Sequence, residues 1–158
     1  MKKILVLLLF WLPFAALPAQ DENSTPGSGS SRNKPSFEGI PMELIEKCST
    51  FFEIAIKEDF EKAIKILMKN SPINKKAADM ENLVAETKRA VILYGKITGF
   101  EPVSSEIATP SYIRLRYISI HPDNPMRWVF TFYKSPTRGW IINNVRFDDL
   151  TEFLFSDE

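Results

Sequence analysis

Hydrophobic and polar positions change period once along this chain. Between residues 41 and 57, Leu44, Cys48, Phe51 and Ala55 recur at steps of three and four, flanked by Ile45 and Phe52. That spacing predicts an amphipathic helix with Pro41 in its first turn. Asp59 is placed to cap a second helix, in which Phe60, Ala63, Ile64, Leu67 and Met68 follow the i, i+3, i+4, i+7, i+8 rule, and Asn70, Ser71 and Pro72 stop it. A third helix is predicted over 75–93. Met80, Leu83, Val84, Thr87, Val91 and Tyr94 share one side of it, while Glu81, Glu86, Lys88 and Arg89 fall mostly on a solvated face. Gly95 ends that helix, the chain turns extended near Phe100, and Pro102 and Pro110 bracket a polar run.

From residue 111 the period becomes two. The runs 111–120, 126–134 and 140–147 are rich in β-branched and aromatic residues, and turns at 121–125 and 135–139 carry Pro, Asn, Asp and Gly. This is the pattern of an antiparallel meander. Helices followed by about four strands predict an α+β domain, its amino-terminal helices packed on a curved antiparallel sheet.

If both turns are tight, Ile120 faces Met126 and Lys134 faces Trp140, and strand alternation then sorts the side chains. One face collects Ile113, Leu115, Tyr117, Val129, Thr131, Tyr133, Ile141, Val145 and Phe147, with Arg127 and Asn143 as polar members; it is expected under the helices. The other collects Arg114, Arg116, Ile118, Trp128, Phe130, Phe132, Trp140, Ile142, Asn144 and Arg146. Four large rings beside guanidinium groups exceed what a monomer leaves in water. Arg114, Arg116, Trp128, Phe130, Phe132 and Trp140 are therefore expected to form an interface, with a second copy or with another exported protein. The alternative cover is the polar loop at 104–110, or the tether that precedes the domain.

The first residues bear on location. Lys2 and Lys3 precede an apolar run at 4–12, then Pro13 and small residues up to Ala19. That order reads as a bacterial secretory signal, residues 1–19, cleaved after Ala19. An uncleaved anchor is the rival, although the run is short for a bilayer and holds Pro13. The expected destination is the periplasm or the exterior, with no membrane span left after cleavage. Residues 20–36 have no large apolar side chain and read as a disordered linker. Residues 37–158 are then one domain.

Without Lys2 and Lys3, the 20 basic residues fall slightly below the 20 acidic ones, so no overall charge draws the chain to nucleic acid. Cys48 is the only cysteine, which excludes an internal disulfide, and its place in the helical stripe makes it a core residue. His121 is the only histidine and is expected to be exposed in a turn. Asp148 and Asp149 are adjacent and expected to point apart, serving a turn or cap. No catalytic residue, metal site or cofactor motif emerges: one His and one Cys do not make a zinc site, and phosphate loops and nucleophile elbows are missing.

Three helices, the Tyr94 and Gly95 junction, and the runs 114–117, 127–133 and 139–144 resemble the superfamily named after nuclear transport factor 2, in particular its small exported bacterial members without assigned function. The resemblance implies a cone-shaped, nuclear transport factor 2-like or cystatin-like α+β domain that often dimerises through its sheet and sometimes holds a small molecule. Its enzymes place Asp, His, Tyr or Arg inside the cone; here no strand-borne carboxylate faces inward. Two readings follow. The favoured one is a binding or assembly module that uses the aromatic and arginine face. The other is a small-molecule carrier or cofactor-free isomerase or dehydratase, with Arg127, Tyr117, Tyr133 and Asn143 lining a pocket.

Overall fold

The computed structural model describes residues 37–154, and the expected leader, the linker and residues 155–158 lie outside them. Three helices, α1 (Met42–Ala55), α2 (Phe60–Leu67) and α3 (Ala77–Tyr94), precede four strands, β1 (Gly99–Thr109), β2 (Tyr112–Ile120), β3 (Met126–Ser135) and β4 (Gly139–Asp148). Short 3-10 turns cover Pro72–Lys75 and Thr151–Leu154. The α+β class and the helix-then-strand order agree with the sequence.

The helices form where periodicity and caps place them. In α1 the stripe Leu44, Cys48, Phe51, Phe52 and Ala55 is buried, and the Asp59 side chain accepts the Lys62 amide at 3.3 Å to cap α2. Helix α3 leans on the core less deeply: only Thr87 and Ala90 are fully buried in it, while Leu83, Val84, Val91 and Tyr94 are partly covered. Gly95 ends it with φ +84°, a conformation that suits glycine, and a Cβ there would stand 2.8 Å from the Pro122 ring. No helix among the described residues is long and apolar enough to cross a membrane.

The sheet is a meander in the order β1-β2-β3-β4, all pairs antiparallel. The polar run after Pro102, expected as a loop, is instead part of the edge strand β1, paired with β2 from Gly99 to Thr109. Register shifts after Pro102 and after Ile107 interrupt it. A proline and irregular pairing on an outer strand discourage continuation of the sheet by another chain.

The register of β3 departs from expectation and decides the core. Ser119, not Ile120, lies opposite Met126, so every side chain of β3 changes sides relative to β2. Trp128, Phe130 and Phe132 are thereby placed beneath the helices with Ile113, Leu115 and Tyr117. Phe51 of α1 meets Trp128 at 5.0 Å and Phe130 at 5.8 Å between ring centroids, and Phe52 meets both edge-on at 5.7 and 5.8 Å. The energetics favour this register. Burying each large ring is worth about 2–3 kcal/mol, whereas the opposite choice would bring Arg127 and Thr131 against α1.

The Lys134 and Trp140 pairing is as expected, but it does not hold along the whole of β4. Thr131 pairs Asn144 and Phe132 pairs Ile142, so Asn143 is an extra residue in a bulge. Beyond it Val145 and Phe147 turn inward, and Phe147 stacks on Trp128 at 4.4 Å.

Candidate functional site

Both expected sites are rearranged by these two changes of phase. Of the six interface residues, Trp128, Phe130 and Phe132 are core, and Trp140 is half-buried against the same core with Lys134 5.9 Å above its ring. Arg114 and Arg116 stay on the outer face as expected, but without the rings. The apolar surface that called for a partner copy is thus covered by the chain's own helices.

The four pocket residues do not converge. Tyr117 is buried among Phe37, Phe52 and Phe130 on the helix side, where burial pushes its hydroxyl pKa up. Arg127 and Tyr133 sit on the outer face, and Asn143, in the bulge, donates to the Tyr112 hydroxyl at 3.1 Å. Arg127 is spoken for by Asp148 in a two-point pair, Nε to Oδ1 at 3.0 Å and Nη2 to Oδ2 at 2.9 Å.

Outside the helix layer, alternation with the observed register assembles a different surface. Its cross-strand rows are Glu101, Ile118, Arg127 and Asp148; Ser104, Arg116, Val129 and Arg146; Glu106, Arg114, Thr131 and Asn144; then Tyr112, Tyr133 and Ile141. Val129 and Thr131 in the middle are only 2 % and 6 % exposed. Their cross-strand neighbours are Arg116 with Arg146 and Arg114 with Asn144, and the long arginine stems shield the centre while their heads stay nearer water. Four of the seven arginines of the chain lie on this face, and no lysine does.

Glu106 on β1 organises one side of it. Its Oε2 accepts from Arg114 Nη1 at 3.4 Å and from Arg116 Nη2 at 3.3 Å, while Arg116 Nη1 also donates to Ser104 Oγ at 3.3 Å. These contacts are long for charge-assisted bonds, which run about 2.7–2.9 Å. The sequence does not single out Glu106, because the polar run 104–110 reads as a loop; its two-residue step from Ser104 is the available signal.

His121 overturns the expectation of an exposed turn residue. It is buried, with Nδ1 2.7 Å from the Gly95 carbonyl and Nε2 2.9 Å from Ser119 Oγ, and Trp128 Nε1 donates to the same Ser119 Oγ at 2.9 Å. A carbonyl only accepts, so Nδ1 carries the proton and Ser119 donates to Nε2. A Ser–His pair invites a nucleophile reading, but Ser119 has no exposed surface and its oxygen is engaged by the indole. The network is structural. Cys48 is likewise buried, and burial raises its thiol pKa, the reverse of what a nucleophile needs. Asp148 and Asp149 do point apart: Asp148 serves Arg127 and the Leu150 amide, and Asp149 accepts the Tyr94 hydroxyl at 2.5 Å.

Between α3 and β4 runs an open groove of about 520 Å³, floored by Leu83, Val145 and Phe147 and rimmed by Asp79, Asn82, Glu86, Arg146 and Asp148. No group of three or more His, Cys, Asp or Glu side chains among the described residues is arranged to hold a metal ion. Compared with protein-family models, curated proteins and solved structures, the chain has no match.

Proposed function

We propose that the chain is an exported binding module whose sheet meets a partner macromolecule with its outer, arginine-bearing face. One observation carries this reading: four arginines and two tyrosines gathered on one side of the sheet, without a lysine among them. Arginine offers a planar fork of donors and a weakly hydrated surface, properties suited to recognition rather than to solubility alone. The basic start and the short apolar run of the first nineteen residues support export. The order of three helices and a bulged antiparallel meander supports a nuclear transport factor 2-like relationship. The pocket alternative has less support, since Tyr117 lies on one side of the sheet and Arg127 and Tyr133 on the other.

A photo-crosslinking residue at Tyr133 tests the reading in cells that express the whole chain. Adducts are expected from Tyr133, not from Lys62 on α2, and they should disappear when Arg114 and Arg116 are changed to Glu. Equal adducts from both positions, or adducts indifferent to the charge reversal, would refute it.

A further inference from the structure

We infer that Arg114 and Arg116 form a two-point clamp for the carboxylates of an extended acidic segment of a partner protein, and that Glu106 fills the clamp until that segment displaces it. This rests on the binding face proposed above and names its partner's chemistry.

The sheet contains its own comparison. Arg127 and Asp148 form a close, two-point pair at 2.9 and 3.0 Å, with the arginine side chain only 5 % exposed. Arg114 and Arg116 instead share a single oxygen of Glu106 at 3.4 and 3.3 Å, their side chains 34 % and 19 % exposed and that of the glutamate 50 %. Two guanidinium groups carry up to ten N–H donors between them, and one half-exposed carboxylate satisfies few of these. With the glutamate half-exposed and both contacts long, such pairs contribute only about 0–1 kcal/mol, so exchange of Glu106 for an incoming carboxylate costs little. Glu106 also lies on an edge strand, in a short regular stretch, residues 104–107, bounded by two register shifts.

Geometry indicates the form of the ligand. Arg114 and Arg116 are two residues apart on one strand face, about 6.6–6.8 Å along β2. An extended peptide presents alternate side chains at the same interval. Tyr112 continues the row beyond Arg114 with Tyr133 beside it, and both rings are more than a third exposed. A segment lying along β2 therefore meets a tyrosine pair, then one guanidinium, then the next, which fits the order apolar, any, acidic, any, acidic. Glu101 and Glu106 on β1 and Asp148 on β4 flank the face, so it suits one narrow segment along β2 and not a broad phosphate surface such as a nucleic acid or an anionic membrane.

The test uses the whole chain and a fluorescent peptide, Phe-Ser-Glu-Ser-Glu, against its isomer Phe-Glu-Glu-Ser-Ser of equal charge. The alternating peptide should bind about tenfold tighter than the isomer; Glu106→Gln should tighten it several-fold, and the double change of Arg114 and Arg116 to Lys, which keeps charge but removes the fork, should weaken it about tenfold. Equal binding of the two isomers to the unmodified chain overturns the inference without reference to any variant. So does an unchanged or weaker affinity in Glu106→Gln, or tighter binding to phosphatidylglycerol vesicles than to the peptide. If peptide binding fails while the Tyr133 adducts persist, the face binds something else; if both fail, the binding-module reading falls too.

Discussion

Ser119 has no exposed surface, and its one hydroxyl serves two neighbours, donating to His121 and accepting from Trp128. Strand alternation puts Ser119 and His121 on the same side, two residues apart, but only the register of β3 brings the indole to meet them. Replacing Ser119 by Ala leaves a buried N–H and a buried ring nitrogen without partners, each worth about 1–3 kcal/mol. The expected loss is about 2–4 kcal/mol in urea unfolding, seen as a lower midpoint at unchanged slope. A loss under about 1 kcal/mol would mean that a water replaces the hydroxyl. Gly95 ties this network to the end of α3, because its carbonyl accepts from the imidazole N–H and its lack of a Cβ admits the close approach of Pro122.

Among the elements, β4 depends most on one residue. Asn143 is exposed and packs no core, yet the bulge it creates switches the phase of everything after it, so that Val145 and Phe147 face inward. Asn143→Ala loses only the bond to Tyr112 and is expected to cost less than about 1 kcal/mol. Deleting Asn143 is a different matter. It restores simple alternation and sends Val145 and Phe147 to the outer face while Asn144 and Arg146 turn under the helices. The deletion variant is expected to lose cooperative unfolding in circular dichroism; a sharp transition near the parent's would show that β4 re-pairs around the gap. The helices were legible because a stripe three or four residues apart tolerates small errors of phase. The strands were legible but their faces were not, because a period of two inverts on a single slip.

At the scale of the whole molecule, the core holds two groups that resist losing a proton, Cys48 and Tyr117, both with pKa values raised by burial. The unfolded chain releases these protons first, so stability is present below the unfolded pKa values and is lost as pH rises past them. Lys47 acts in the opposite sense: burial lowers its pKa, and alkaline pH relieves a cost. Cys48 and Tyr117, with Tyr94 raised by its hydrogen bond to Asp149, outnumber Lys47 and predict a net fall in unfolding free energy from about pH 9 upward, measurable by denaturant titration at pH 8 to 11, and a shallower fall in Cys48→Ala. A profile flat in the parent and unchanged in Cys48→Ala would mean that Cys48 titrates as it does when unfolded. The arginine face also belongs to this scale. Alternation along β2 and β4 puts Arg114, Arg116 and Arg146 on one surface from sequence, but Glu106, Tyr133 and Arg127 join them only once β1 is a strand and β3 is set in register.

Composition and periodicity alone determined the α+β class, the three helices with the Asp59 cap and the Gly95 stop, the meander, the core place of Cys48 and the divergence of Asp148 from Asp149. Each depends on neighbours within about a turn or a strand, which the chain carries in its own order. Which face of the sheet holds the rings, where His121 goes, and which arginines share a surface were decided in the tertiary structure. A connection one residue out of phase and a single bulge each reverse a face of the sheet. Only the competition between burying Trp128, Phe130 and Phe132 under α1 and burying Arg127 there selects the outcome.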